Sequence, residues 1–335
     1  MDSIAGLVSG LTQVEFLVNL VGALQVAQAA MSSYAAHVVG AIDHFVAICL
    51  TIYVVLYGFA LMQGHVRDIQ HDAFIKLFKL AVVLTLCRNF AIYNNEVAQF
   101  FWNMPENLVN WLTPSKVMTM LESFVPSGVT NSTDLSILLI STVMSFTVSL
   151  MHSSLAASSL AGQTDPTMFA TGMGIGVAGA SLTAVVAGIL LVAKVSLSVL
   201  LALGPFFLVS ILFEKTKAYF DGWLSQVLNF VLVILLLTLT IHILFPILII
   251  TVASYYAVAQ VTGALSLRES VELITLLGIF LAIIKQVPTT AAAVVRGYAV
   301  GGAQERQLSG SGGASAQSGG KSASQAQAEV NNRPK

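Results

Sequence analysis

The chain has 335 residues, 56% of them hydrophobic and 9% charged, with a formal net charge of −1 and a mean hydropathy of +0.84. A soluble domain carries about 25% charged residues, so a soluble globular fold is excluded, and the near-neutral balance offers no basic surface for sustained nucleic-acid binding. What remains is an all-α, polytopic helical membrane protein, with several runs as long as the roughly 20 apolar residues that cross a bilayer.

Residues 1–34 place Val14, Leu17, Val21 and Leu24 at helical spacing, with Thr12, Gln13, Asn19 and Gln25 between them. That pattern predicts an amphipathic helix lying on a membrane, on a partner or on the protein's own core. No Lys or Arg occurs in the first 66 residues, so no cleavable signal peptide is expected. The first strong apolar segment is 38–62, with Asp43 and His44 near its start. Ionisable residues inside a membrane are functional candidates by default; at a segment's end, interfacial solvation and proton transfer both fit them. A charged stretch, 63–79, holds His65, Arg67, Asp68, His71, Asp72, Lys76 and Lys79. It reads as a solvated cytoplasmic loop, because basic loops stay inside, rather than as a metal site. The second segment, 74–93, has an uninterrupted apolar core only over Leu80–Cys87. Cys49 and Cys87 both fall in apolar segments and read as packing residues, not as a disulfide or metal pair.

Residues 94–134 hold Glu96, Glu106, Glu122 and Asp134 against Lys116 alone, and are punctuated by Trp102, Trp111, Pro105, Pro114 and Pro126. They predict an extracytoplasmic region of short helices. The stretch 135–151 is apolar but rich in Ser and Thr, which hydrogen-bond between helices in lipid; it fits a span or a segment buried against partners. Residues 168–213 are almost unbroken in apolar character and, as one helix, would reach about 69 Å, twice a bilayer. Gly172, Gly176 and Gly179 place small residues on one face of its first half, suited to close helix contact. Gly204 and Pro205 end one helix and begin the next. The compact cluster Glu214, Lys215, Lys217, Asp221, rimmed by Phe220 and Trp223, predicts a short cytoplasmic loop. The clearest span is 224–252, interrupted by Asn229, His242 and Pro246; a polar loop at 253–272 and a last segment, 271–287 ended by Pro288, follow. The Gly-, Ser- and Gln-rich end has the composition of a disordered tail.

The expected organisation is therefore an N-terminal extracytoplasmic helix (1–34), a first membrane helix pair (35–93), a central extracytoplasmic region (94–170), core membrane helices (171–300) around the cytoplasmic loop 214–223, and a disordered cytoplasmic tail (301–335). The basic loops put the N-terminus outside and the C-terminus inside, with about five spans. Walker, HExxH, CxxC and GxSxG patterns are lacking, so an enzyme, a cofactor and a metal site are not expected. Intramembrane Asp43, His44, Lys194 and His242 would serve the alternative of a secondary transporter or ion channel, but no internal repeat accompanies them.

The run Leu203-Gly204-Pro205-Phe206-Phe207, then Phe213-Glu214-Lys215-Thr216 and Phe220-Asp221-Gly222-Trp223, followed at once by a long apolar span, resembles the TrbL/VirB-six family. The size and Gly/Ser-rich tail resemble its plasmid-conjugation, TrwI-like branch. The resemblance implies a non-enzymatic, multi-pass inner-membrane subunit of a type IV secretion system, acting in pilus assembly and in passing a DNA–protein substrate. It implies partners among the minor pilin, the pilin, the inner-membrane scaffold and the ATPases, contact with membrane lipid, and self-association in a five-fold ring. The residues singled out for partner contact or assembly are Trp223, Phe220, Lys215, Lys217, Gly204, Pro205, Gly172, Gly176 and Gly179.

Overall fold

A computed structural model describes residues 89–124, 132–160, 166–213 and 215–311, with scattered positions between 22 and 86. The chain divides into two compact units, Met1–Ala291 and Ala292–Lys335; the described part of the second is helical. Among the described residues there is no strand. The segments holding Asp43, His44 and most of the 63–79 loop, together with Glu214 and residues 312–335, lie outside the described residues.

A π-helical turn, Tyr93–Ala98, leads into α1, Gln99–Leu112. Then come α2 (Ser115–Glu122), α3 (Ser132–Leu160) and α4 (Pro166–Ala202). The short α5 (Gly204–Val209), the long α6 (Lys217–Thr262) and α7 (Leu267–Ser311) complete the order. Four helical stretches are long and apolar enough to cross a membrane: Ser132–Ser158, Pro166–Ala202, Lys217–Thr262 and Leu267–Val295. A shorter apolar helix covers Ala47–Leu56.

Contacts fix the directions of the first unit's helices. Gly172 lies against Ser154, Gly176 against Met151 and Gly179 against Thr147, so α3 and α4 are antiparallel. Ser136 meets His242, and Phe146 stacks edge-on with Tyr256 at 5.3 Å, so α3 and α6 are parallel. Tyr93 reaches Leu201 while Glu106 reaches Lys194, so the helix starting at Tyr93 runs antiparallel to α4. The core lies between these helices, with Leu182, Leu190, Leu197, Val227, Ile234 and Leu237 fully buried.

Several expectations change. Residues 132–160 form one helix of 29 residues, which takes in the apolar 135–151 stretch and the last residues of the region expected as short helices. Its hydroxyls do not interrupt it because they bond back to carbonyls one turn earlier, as Ser136 does to Ser132, Ser145 to Ser141 and Ser154 to Leu150. The 214–223 loop is mostly helix, since α6 starts at Lys217. The 253–272 loop shrinks to a turn at Gly263–Ser266. Gly263, at φ 85°, supplies the left-handed C-terminal residue of α6. Ser266 and Glu269 form a capping box that starts α7: the Ser266 N–H donates to Glu269 Oε2 at 2.9 Å, and the Glu269 N–H to Ser266 Oγ at 3.4 Å. Pro288 lies inside α7, not at its end, and that helix reaches into the segment expected as tail.

The second membrane segment was expected to end at Tyr93, on the face opposite the 214–223 loop. Tyr93 instead meets Trp223 over Gly204, so both lie at one end of the bundle. The rise away from that end is made by Tyr93–Leu112.

Candidate functional site

An α-helix leaves its last four carbonyls without intrahelical partners. At the end of α4 two aromatic side chains take up this need. Trp223, from the second turn of α6, donates its indole N–H to the Leu200 carbonyl at 2.8 Å. The Tyr93 hydroxyl donates to the neighbouring Leu201 carbonyl. Between them sits Gly204, where an added Cβ would overlap the Tyr93 hydroxyl and lie 3.1 Å from Trp223 Cζ2. Pro205 opens α5, where its missing N–H costs nothing. Phe207 stacks on the indole at 6.1 Å and 15°, and Phe220 tilts against it at 5.6 Å.

Trp223 is therefore buried, at 4% exposure, and closes a helix end within the chain. The part of this cluster that faces outward is Lys215, Lys217 and Tyr219. Sequence reasoning missed Tyr93, because its partner carbonyl is 108 positions away.

Gly172, Gly176 and Gly179 form the seam between α4 and α3 of the same chain. A Cβ at Gly172 would lie 3.0 Å from Ser154 Cβ; at Gly176 it would overlap the Met151 side chain, and at Gly179 that of Thr147. Gly188, on another face of α4, has open space around it.

Two polar contacts bind the helices deeper in the bundle. Lys194 Nζ lies 3.0 Å from Glu106 Oε1, with the two side chains 4% and 15% exposed. The same ammonium sits 4.5 Å from the centroid of the Trp102 ring. An ammonium in an apolar bundle needs such pairing, and here one carboxylate and one π-face of α1 supply it. His242, 2% exposed, bonds through Nε2 to Ser136 Oγ at 3.2 Å and through Nδ1 to Thr113 Oγ1 at 3.4 Å. One imidazole thus ties α6 to the start of α3 and to the end of α1. Among the described residues, no three His, Cys, Asp or Glu side chains gather closely enough to hold a metal.

Residues 50–287 match the family model described as TrbL/VirB6 plasmid conjugal transfer protein. The chain belongs to that family. The match spans the aromatic closure of α4, the glycine seam, the Lys194–Glu106 pair and His242. The TrbL/VirB6 family is one of conjugation-machinery components and not a known enzyme family. This TrbL/VirB6 chain is also 48% identical over 40 residues to an uncharacterized protein of Rickettsia felis, and 44% identical over 41 residues to one of Rickettsia typhi. Each stretch covers 12% of this chain, and 4% and 5% of those relatives' lengths. In this TrbL/VirB6 chain the buried polar groups described here are engaged with one another between helices. That arrangement holds helices in register.

Proposed function

We propose that this chain is an inner-membrane subunit of a type IV secretion machine for conjugation, helping to assemble the pilus and to pass a DNA–protein substrate. Its membership of the TrbL/VirB6 plasmid conjugal transfer family carries this reading. Its partners are the pilin, the minor pilin, the scaffold and the ATPases of such a machine, and further copies of itself in a ring.

The lengths of the helices support assembly. At 1.5 Å per residue α4 is about 56 Å long and α6 about 69 Å, against roughly 30 Å of hydrocarbon. Phe169, Met173, Val177, Val192, Val195 and Val199 form an exposed apolar ridge along α4. Lipid covers only about half of such a ridge, and protein contacts cover the rest.

In this reading the N-terminus is outside and the C-terminus inside. The five crossings are the 38–62 segment and the long apolar stretches of α3, α4, α6 and α7. The transporter alternative gains no support at Lys194 or His242, since neighbouring helices occupy both side chains.

Purification from native membranes, followed by identification of the co-purifying proteins, tests the assembly. The expected result is an oligomer carrying secretion-machine components. A lone monomer with no such companion counts against it.

A further inference from the structure

Within the first unit the helices are tied firmly at two levels. At one, Trp223 and Tyr93 close the end of α4, and Lys194 pairs with Glu106. At the other, the glycine seam locks α4 to α3, Phe146 packs on Tyr256, and the Tyr255 hydroxyl donates to Glu272 Oε2 at 2.9 Å. Between the two, α1 has just ended at Thr113 and α3 has just begun at Ser136. His242 bonds to both, at 3.4 and 3.2 Å. Ser136 gives its one hydroxyl proton to the Ser132 carbonyl at 3.0 Å. It therefore accepts from His242 Nε2–H, and Nδ1 is left to accept from Thr113. One long hydrogen bond thus goes to each half of the bundle.

Three described helices pass this level, and each is weakened there. In α6, Pro246 lies one turn beyond His242, and its missing N–H leaves the His242 carbonyl without an intrahelical donor. In α4 the same height falls at Ala187 and Gly188. Two turns of α1 separate Glu106 from Thr113, and two turns back from Lys194 along antiparallel α4 reach these residues. Gly188 has open space around it, and a glycine loosens a helix interior. In α7, which returns along α6 from the Tyr255–Glu272 contact, the same height is reached near Lys285, and Pro288 lies within the next turn.

Packing is thin in the same layer. A gap too narrow for a water lies between Ile137 and Ile140 of α3 and Thr183, Val186 and Ala187 of α4. The buried hydroxyls of Ser132 and Thr238, one turn from Ser136 and His242, have no hydrogen-bond partner. Unpaired buried hydroxyls raise the free energy of this arrangement, so a second arrangement that pairs them competes with it.

We propose that this layer is a hinge. The two firmly tied halves swing as bodies, α4, α6 and α7 bend at Gly188, Pro246 and Pro288, and His242 is the pin held by one bond to each half. A few backbone positions absorb the change, as in other hinged proteins, and prolines are where helices kink. Motion at the Trp223 end is thereby relayed to the turn between α6 and α7. The hinge follows from the fold alone, whatever machine the chain serves.

Pairs of spin labels on the full chain test it, with labelled protein diluted into unlabelled protein so that distances within one chain are read. Asn103 with His152 spans the hinge. Asn103 with Val195 lies within the first half and Val177 with His152 within the second, and all four positions are exposed. The expected result is one narrow distance distribution for each pair within a half and two populations for the spanning pair. Gly188→Ala, which meets open space, and Pro246→Ala, which restores the backbone donor, should each shift the spanning pair toward one population. In both variants the pairs within a half should keep their wild-type distances, which shows that each half stays folded. A spanning pair as narrow as the others in the wild-type chain would overturn the hinge. Two populations in unchanged proportion in both variants would overturn it equally, because the motion would then lie elsewhere.

Discussion

Trp223 donates its indole N–H to the Leu200 carbonyl at 2.8 Å, joining the start of α6 to the end of α4 across the Gly204–Pro205 break. This contact gives the aromatic a role inside the fold. Trp223→Phe keeps the stack on Phe207 but leaves a buried carbonyl unpaired, at about 1–3 kcal/mol. Trp223→Ala also opens a cavity and costs about 3–5 kcal/mol. Thermal unfolding of the purified protein should show both losses in that order, with membrane level and transfer falling together. A Trp223→Phe variant of wild-type stability that no longer transfers would instead mark Trp223 as a docking residue.

Gly204 faces the two capping aromatics with no space for a methyl group. Gly204→Ala should push Tyr93 off the Leu201 carbonyl and lower the melting temperature by several degrees. Combining it with Tyr93→Phe, which removes the overlapping hydroxyl, should recover part of that loss. Additive losses in the double variant would show that the close approach is not the cause.

On α4 the two kinds of glycine should behave differently. Gly176→Leu drives a side chain into Met151 and should part α3 from α4, giving poorly folded protein. Gly188→Leu meets open space and replaces a poor helix former, so it should leave monomer stability unchanged or slightly raised. Paired melting curves check this; equal losses at both positions would contradict the assignment of the seam.

The Lys194–Glu106 pair should follow the behaviour of buried ion pairs. Removing one partner, as in Lys194→Met, strands a charge and costs about 3–5 kcal/mol. Lys194→Met with Glu106→Leu removes both charges and should recover most of the stability. If the double variant is as unstable as the single one, Lys194 is held by Trp102 and the surrounding packing more than by the carboxylate.

Much of the fold was legible in local sequence. The apolar runs announced α4, α6 and α7, and the Gly204–Pro205 dipeptide announced the break, because both signals act within a few residues. The helix 132–160 was harder to read, since its hydroxyls lower the apparent hydropathy while bonding silently to their own backbone. The site was legible only as a set of unusual residues. Trp223 sits among charges in sequence, which suggests a surface, yet its burial depends on Tyr93, Phe207 and the end of α4. Lys194 stood alone in an apolar run, and Glu106 in an acidic stretch; their pairing spans 88 positions. His242 draws its partners from 106 and 129 positions away. A single sequence records such residues but not which of them meet.

Conjugative transfer itself gives the most direct test of the role in the secretion machine. The gene is deleted in frame from the element that carries it, and transfer frequency is counted with and without the wild-type chain supplied in trans. Loss of transfer by several orders of magnitude, restored by the wild-type chain, is the predicted result. Transfer at the parental frequency in the deletion strain would contradict it.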